Sequence, residues 1–210
     1  MTVEIIDLTH LITESMPVYP GTERPKLLPA NTVEEDGFRE TLLTVFSHTG
    51  THMDAPLHLF AGRAGLDSYP ADKFIGSLML VDCRASMKLI ETDIIDIRKA
   101  DDADFLLFYT GWDRYWNKSG YFSGFPVCSE GVIDYCVSSG KKGVGFDTIS
   151  ADPVGSLENH RRLLENDVLI IENLTNLGEL LNGSFLFSAM PLKFEKSDGA
   201  PVRAIAMQLC

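Results

Sequence analysis

Residues 47–60 read SHTGTHMDAPLHLF and hold three of the chain's five histidines, with Asp54, Gly50 and Pro56 among them. His48, His52, Asp54 and His58 are all even-numbered, so a strand would put them on one face. A flat strand rises ~3.3 Å per residue and would leave His48 and His52 ~13 Å apart. That is too far for both imidazoles to reach one ion through bonds of about 2.1 Å. A helix would pair i with i+4, but Gly50 and Pro56 oppose a regular helix. The stretch therefore predicts a strand ending near Ser47, then a bend at Gly50 that folds His48 back over His52 and Asp54. Glycine tolerates the dihedrals such a bend needs. Pro56 stiffens the onward chain and fixes where His58 points.

His-x3-His-x-Asp offers two nitrogens and one carboxylate, a donor set suited to zinc and acceptable to manganese. Three protein ligands leave a coordination position open, as in a catalytic site. The bland alternative is a group of hydrogen-bonded surface histidines around a turn. Further ligands are sought in His160, within LENHRRLLE, and Glu172, which ends the apolar run VLIIENL. A lone helical histidine is commonly an amphipathic-face residue, whereas an acid at a strand end is where site residues project. Asp147 and Asp152, in GVGFDTISAD, read either as acids that orient imidazoles or, preferably, as turn and cap residues. His10 reads as structural or exposed.

Outward from this stretch the chain has the composition of a globular protein. It has 210 residues, 45% hydrophobic and 23% charged, enough for one domain over residues 1–210. Eighteen Lys and Arg against 30 Asp and Glu give a net charge of −12, which repels nucleic acid and anionic membrane surfaces. The four cysteines, Cys83, Cys128, Cys136 and Cys210, form no C-x-x-C pair and read as free thiols of a reduced compartment. No signal-peptide pattern opens the chain and no apolar run approaches the ~20 residues of a membrane span, so a cytoplasmic protein is expected.

Short β-branched and apolar runs predict strands at Val3–Leu8, Glu40–Phe46, Leu78–Asp82, Phe105–Thr110, Gly143–Phe146, Val168–Glu172, Phe185–Ala189 and Val202–Leu209. Helices are predicted over Thr92–Lys99, Glu130–Ser138 capped by Ser129, Leu157–Glu165 capped by Ser156, and Leu177–Leu181 after Asn176. The expected class is an α/β domain around a mostly β core. Two loops, Met16–Gly21 and the aromatic-rich Gly111–Phe125, either line a pocket or pack over the edge of the core.

HTGTHMDAPLH closely resembles the signature HxGTHxDxPxH of the cyclase family, metal-dependent hydrolases that include bacterial kynurenine formamidases and isatin hydrolases. DLTHLITESMPVYPG, LLFYTGW, GFDTISAD, the helix around His160, ENLTNL and SDGAPVRAIA follow in the family's order, so the resemblance spans nearly the whole chain. It implies a compact α/β fold with a central β-barrel-like mixed sheet flanked by helices. It implies two divalent ions, zinc or manganese, with His48, His52 and Asp54 on the first, His160 on the second, and Asp54 and Glu172 shared. It makes His58 a proton donor and acceptor, and the protein a homodimer or homotetramer.

The implied activity is hydrolysis of a small-molecule amide, most of all N-formylkynurenine by an arylformamidase. Hydrolysis of another or a cyclic amide, as in isatin hydrolase, and a catalytically silent metal-binding scaffold are the alternatives. Two departures stand out. Leu59 intervenes before Phe60, where the family often has an aromatic directly after the last histidine. Val18 and Tyr19 stand in the substrate loop where formamidases place tryptophan, which makes Tyr19 the expected substrate contact.

Overall fold

Phe105–Tyr109, sequence FLLFY, is apolar almost throughout because both of its faces are covered. Phe105 and Leu107 point to one side, Leu106 and Phe108 to the other, and all four are fully buried. The computed structural model describes residues 3–209. Its strands are β1 (Val3–Asp7), β2 (Lys26–Asn31), β3 (Glu40–Thr44), β4 (His52–Asp54), β5 (Ile75–Asp82), β6 (Leu89–Ile90), β7 (Phe105–Tyr109), β8 (Val127–Cys128), β9 (Gly143–Phe146), β10 (Leu169–Glu172), β11 (Leu186–Pro191) and β12 (Gly199–Leu209). The helices are α1 (Val33–Asp36), α2 (Ile97–Asp101), α3 (Glu130–Ser138) and α4 (Glu158–Glu165), joined by several 3-10 turns.

The sheet runs β1-β12-β11-β5-β7-β9-β10-β4, and β4 pairs again with β12. Seven strands thus close into a mixed barrel, with β1 added beside β12. The steps β5-β7-β9-β10 are parallel; those involving β4, β11 and β12 are antiparallel. One face of every barrel wall feeds a common interior, where Met53, Phe105, Leu107, Ile171, Phe187 and Ala204 meet. The outer faces of β7, β9 and β10 pack Leu106, Phe108, Val144 and Ile170 against Val132 and Ile133 of α3 and Leu163 and Leu164 of α4. Each such buried side chain contributes roughly 1.5–3 kcal/mol. This is the expected α/β class with a barrel-like core.

Several boundaries differ from the expectation. Thr92–Lys99 splits into a 3-10 turn, Thr92–Ile94, and α2, with extended backbone at Ile95 between them. Leu177–Leu180 is also 3-10. Glu40–Thr44 is a strand, but it pairs only with β2 in a ribbon outside the barrel, and all five of its residues are exposed. Ser129 stands at the N-cap of α3, but its side chain makes no cap bond. Ser156 Oγ accepts from the first amide of α4, Glu158, at 3.4 Å, and Asp152 takes the next two, of Asn159 and His160. Cys83, Cys128 and Cys136 are buried free thiols, while Cys210 lies outside the described residues.

Candidate metal centre

Period two along β4 sends Met53 into the barrel and leaves His52 and Asp54 on the opposite face. The neighbouring register then sets what these two residues meet. Glu172 of β10 lies directly opposite His52, and Gly199 of β12 opposite Asp54. Upstream, Gly50 at φ 67° makes the bend and brings His48 back over the strand. The His48 ring lies on Gly199, where a Cβ would come within 2.5 Å of its Cε1. Downstream, Pro56 opens a 3-10 turn, Pro56–His58, that directs His58 to the same face.

Across from β4, α4 supplies His160. Its Nε2 lies 3.4 Å from Asp54 Oδ2 and 3.1 Å from Glu172 Oε1. His52 Nε2 is 3.3 Å from Asp54 Oδ1 and 3.5 Å from Glu172 Oε2. Donor atoms of His48, His52 and Asp54 all lie within 4.8 Å of one another, and so do those of Asp54, His160 and Glu172. The five residues named from the sequence are therefore gathered in one place, with Asp54 common to both groups and Glu172 facing both His52 and His160.

The outer hydrogen bonds fix the rings. His52 Nδ1 donates to the Gly50 carbonyl at 2.8 Å, so its Nε2 is left toward the carboxylates. His160 Nδ1 meets Asp152 Oδ2 at 2.6 Å, leaving its Nε2 inward in the same way. Asp152 also accepts from the amides of Asn159 and His160, so it is both helix cap and imidazole orienter. Asp147 is not of this group. It takes the Thr110 hydroxyl and the amides of Thr110, Gly111 and Trp112.

Asp54 and Glu172 are 1% and 5% exposed, and among the described residues only histidines lie within ion-pair distance of them. Two buried carboxylates need compensating positive charge. Burial opposes protonation of His48, yet Asp54 and Asp198 raise its pKa to about 10. Burial likewise opposes charge on His160, which Glu172, Asp152 and Asp54 hold well above the usual imidazole range. Against its own burial, Asp54 is pulled well below the carboxylate range by His48 and His52. A divalent cation would replace these protons, and this nitrogen and carboxylate set fits one.

His58 stands apart. Its ring centroid is 4.0 Å from that of His48 and 6.4 Å from that of His160, and burial chiefly lowers its pKa. Its Nδ1 is 3.8 Å from Asp198 Oδ2, the same oxygen that lies 3.0 Å from His48 Nε2. Sequence reasoning passed over Asp198, although it sits in SDGAPV at the head of β12; nothing in that strand's own pattern aims it at a site on β4.

The group opens into a cavity of about 450 Å³ whose other walls include Val18, Tyr19, Phe46, Ile149 and Leu157. Tyr19, the expected substrate contact, is in this wall and its hydroxyl accepts from the Gly155 amide at 2.8 Å.

The family model Cyclase matches residues 6–153. The chain is 34% identical over 205 residues to an uncharacterised protein of Methanocaldococcus jannaschii, covering 97% of this chain and 99% of that one. It is 29% identical over 219 residues to a kynurenine formamidase of Erythrobacter litoralis, at 98% and 94% coverage. Among solved structures, an isatin hydrolase bound to the product analogue thioisatinate superposes with a TM-score of 0.88 at 22% identity, over 99% of this chain and 93% of that one. A potential metal-dependent hydrolase with cyclase activity superposes with a TM-score of 0.83 at 28% identity, over the full length of both. The chain belongs to the cyclase family of metal-dependent hydrolases.

Proposed function

We propose that this protein hydrolyses an aryl formamide, N-formylkynurenine, to the free aniline and formate, with two divalent ions, zinc or manganese, held by His48, His52, Asp54, His160 and Glu172. The observation that carries the reading is the meeting of Asp54 and Glu172, both buried, with three imidazoles at the floor of an apolar cavity. A bound divalent cation lowers the pKa of water and polarises a carbonyl oxygen.

The chain's own residues do the rest. Val18, Tyr19, Phe46, Ile149 and Leu157 line the space above the carboxylates and suit a flat aromatic ring. His58, beside the ligand group and bonded to neither Asp54 nor Glu172, takes a proton from the attacking water. It then delivers that proton to the nitrogen as the C–N bond breaks. Water's oxygen ends on formate and the proton on the amine. Depression of the His58 pKa by burial keeps its base form available near neutrality.

A second reading, hydrolysis of a cyclic aryl amide, is favoured by Val18 and Tyr19 standing where formamidases carry tryptophan. Rates on N-formylkynurenine, isatin and simple esters with metal-loaded enzyme separate the two. The formamidase reading stands on a clear preference for the first substrate and falls if isatin is turned over faster or the first is inert.

We also propose a cytoplasmic protein that works as a homodimer or homotetramer. No described helix is long and apolar enough to cross a membrane. The β2–β3 ribbon exposes Leu28, Val33, Phe38, Leu42 and Leu43, which no described residue covers, and this suits burial against a second copy. Light scattering of Leu42→Lys against wild type tests this: dissociation supports it, and a monomeric wild type refutes it.

A further inference from the structure

The aromatic loop after β7 and the bend at Gly50 are far apart in sequence and joined in space. Tyr121, fully buried, donates its hydroxyl to Asn173 Oδ1 at 2.7 Å. Asn173 Nδ2 donates in turn to the Gly50 carbonyl at 2.9 Å. That same carbonyl accepts from His52 Nδ1. Asn173 directly follows Glu172 and sits at φ 57°, a conformation asparagine tolerates better than most residues. Its carbonyl accepts from Thr51 Oγ1 at 2.6 Å, and Thr51 Oγ1 accepts from the His10 amide at 2.9 Å.

The loop is itself held at its start and near its middle. Asp147 gathers the amides of Thr110, Gly111 and Trp112 where the loop departs from β7. Trp116 stacks on His10, with ring centroids 3.9 Å apart and planes within 4°, and packs edge-on against Tyr121 at 5.2 Å. No residue of the loop lines the cavity of the metal centre. Its aromatics form a separate small core with Ile149.

From this arrangement we propose that Gly111–Phe125 is a clamp that presets a metal ligand. Tyr121 and Asn173 are positioning residues that lock the Gly50 carbonyl, and through it the orientation and tautomer of His52. A carbonyl oxygen only accepts, so the bond to Gly50 requires the proton on His52 Nδ1 and frees Nε2 for a cation. Locking Gly50 from Tyr121 removes the freedom of the bend and therefore raises affinity for the ion. The inference rests on the assignment of His52 as a ligand.

The test is calorimetric titration of metal-free protein with Zn²⁺ and Mn²⁺, beside thermal unfolding of the same metal-free samples. Tyr121→Phe keeps the buried ring and removes only the hydroxyl. Asn173→Gly keeps the left-handed backbone and removes both side-chain bonds. The expected result is a Kd raised about 10-fold by Tyr121→Phe and up to about 100-fold by Asn173→Gly, as for other groups that orient a ligand. Long-range ¹⁵N spectra of the metal-free protein should show His52 losing its Nδ1–H preference in both variants. Wild-type affinity and an unchanged His52 tautomer in both variants, with or without a lowered Tm, would overturn the clamp. A wild type that binds neither ion, or a His52→Ala variant that binds as wild type does, would overturn the ligand assignment instead.

Discussion

His48 Nε2 and Asp198 Oδ2 lie 3.0 Å apart although 150 residues separate them along the chain. With Asp54 on the other ring nitrogen at 2.7 Å, His48 is held between two carboxylates and its pKa is raised to about 10. Asp198 is in turn held down to about 2, chiefly by its bond to His48. Asp198→Asn removes one of the two charges. In metal-free protein the His48 midpoint, followed by NMR of the ring protons, should fall, and in the metal-loaded enzyme kcat should drop about 10-fold because the same oxygen faces His58. An unmoved His48 midpoint contradicts this arrangement.

His58 takes no part in either group that gathers around Asp54, although with His48 and Asp198 it forms a third set of donor atoms within 4.8 Å of one another. His58→Ala should keep full metal content and lower kcat by roughly 10²–10⁴-fold, the usual range for a lost general acid–base. Metal analysis beside a rate assay checks it. An inactive variant that has also lost its metal refutes the division of roles.

Gly199 faces the His48 ring so closely that a Cβ would lie 2.5 Å from Cε1 and 2.8 Å from each ring nitrogen. Gly199→Ala must push the ring aside. Affinity for the cation should fall about 10-fold while the fold is retained. Calorimetric titration with Zn²⁺ reads it, and unchanged affinity would show that the ring has room to spare.

The His10 side chain has its pKa lowered to about 4, burial outweighing the attraction of Asp113, and its Nε2 is enclosed without a hydrogen-bond partner among the described residues. In the unfolded chain the same group titrates near 6.5. Between these values the unfolded state binds a proton that the folded state does not, so stability falls as pH drops from about 6.5 to about 4. His10→Phe keeps an aromatic partner for Trp116 and should flatten this part of the Tm–pH curve. Parallel curves for the two proteins would contradict it.

Much of this was legible in the sequence because it is local. The 50–58 spacing, with glycine at the bend and proline before His58, dictates a folded-back ligand segment, and Gly50 at φ 67° with Pro56 leading a 3-10 turn carry it out. Gly143–Phe146 and Glu130–Ser138 form the elements their patterns specify, to the residue. What was not legible depends on register between distant strands. That Glu172 opposes His52 and Gly199 opposes Asp54 is set by barrel closure through β4, a three-residue strand too short to carry a pattern. Asp198 and the reach of Tyr121 to Asn173 were hidden for the same reason. Lys26–Asn31 escaped because Pro29 argues against a strand, yet the strand bulges there at the edge of a ribbon.

The central claim is that Asp54, shared by His48 and His52 on one side and His160 and Glu172 on the other, joins two cation sites. Elemental analysis of protein dialysed against Zn²⁺ tests it directly, run on wild type and on Asp54→Ala. The expected result is about two ions per chain in wild type, in line with the two ligand groups that share Asp54, and loss of both in the variant. Wild type free of divalent metal, or a variant retaining the full complement, would contradict it.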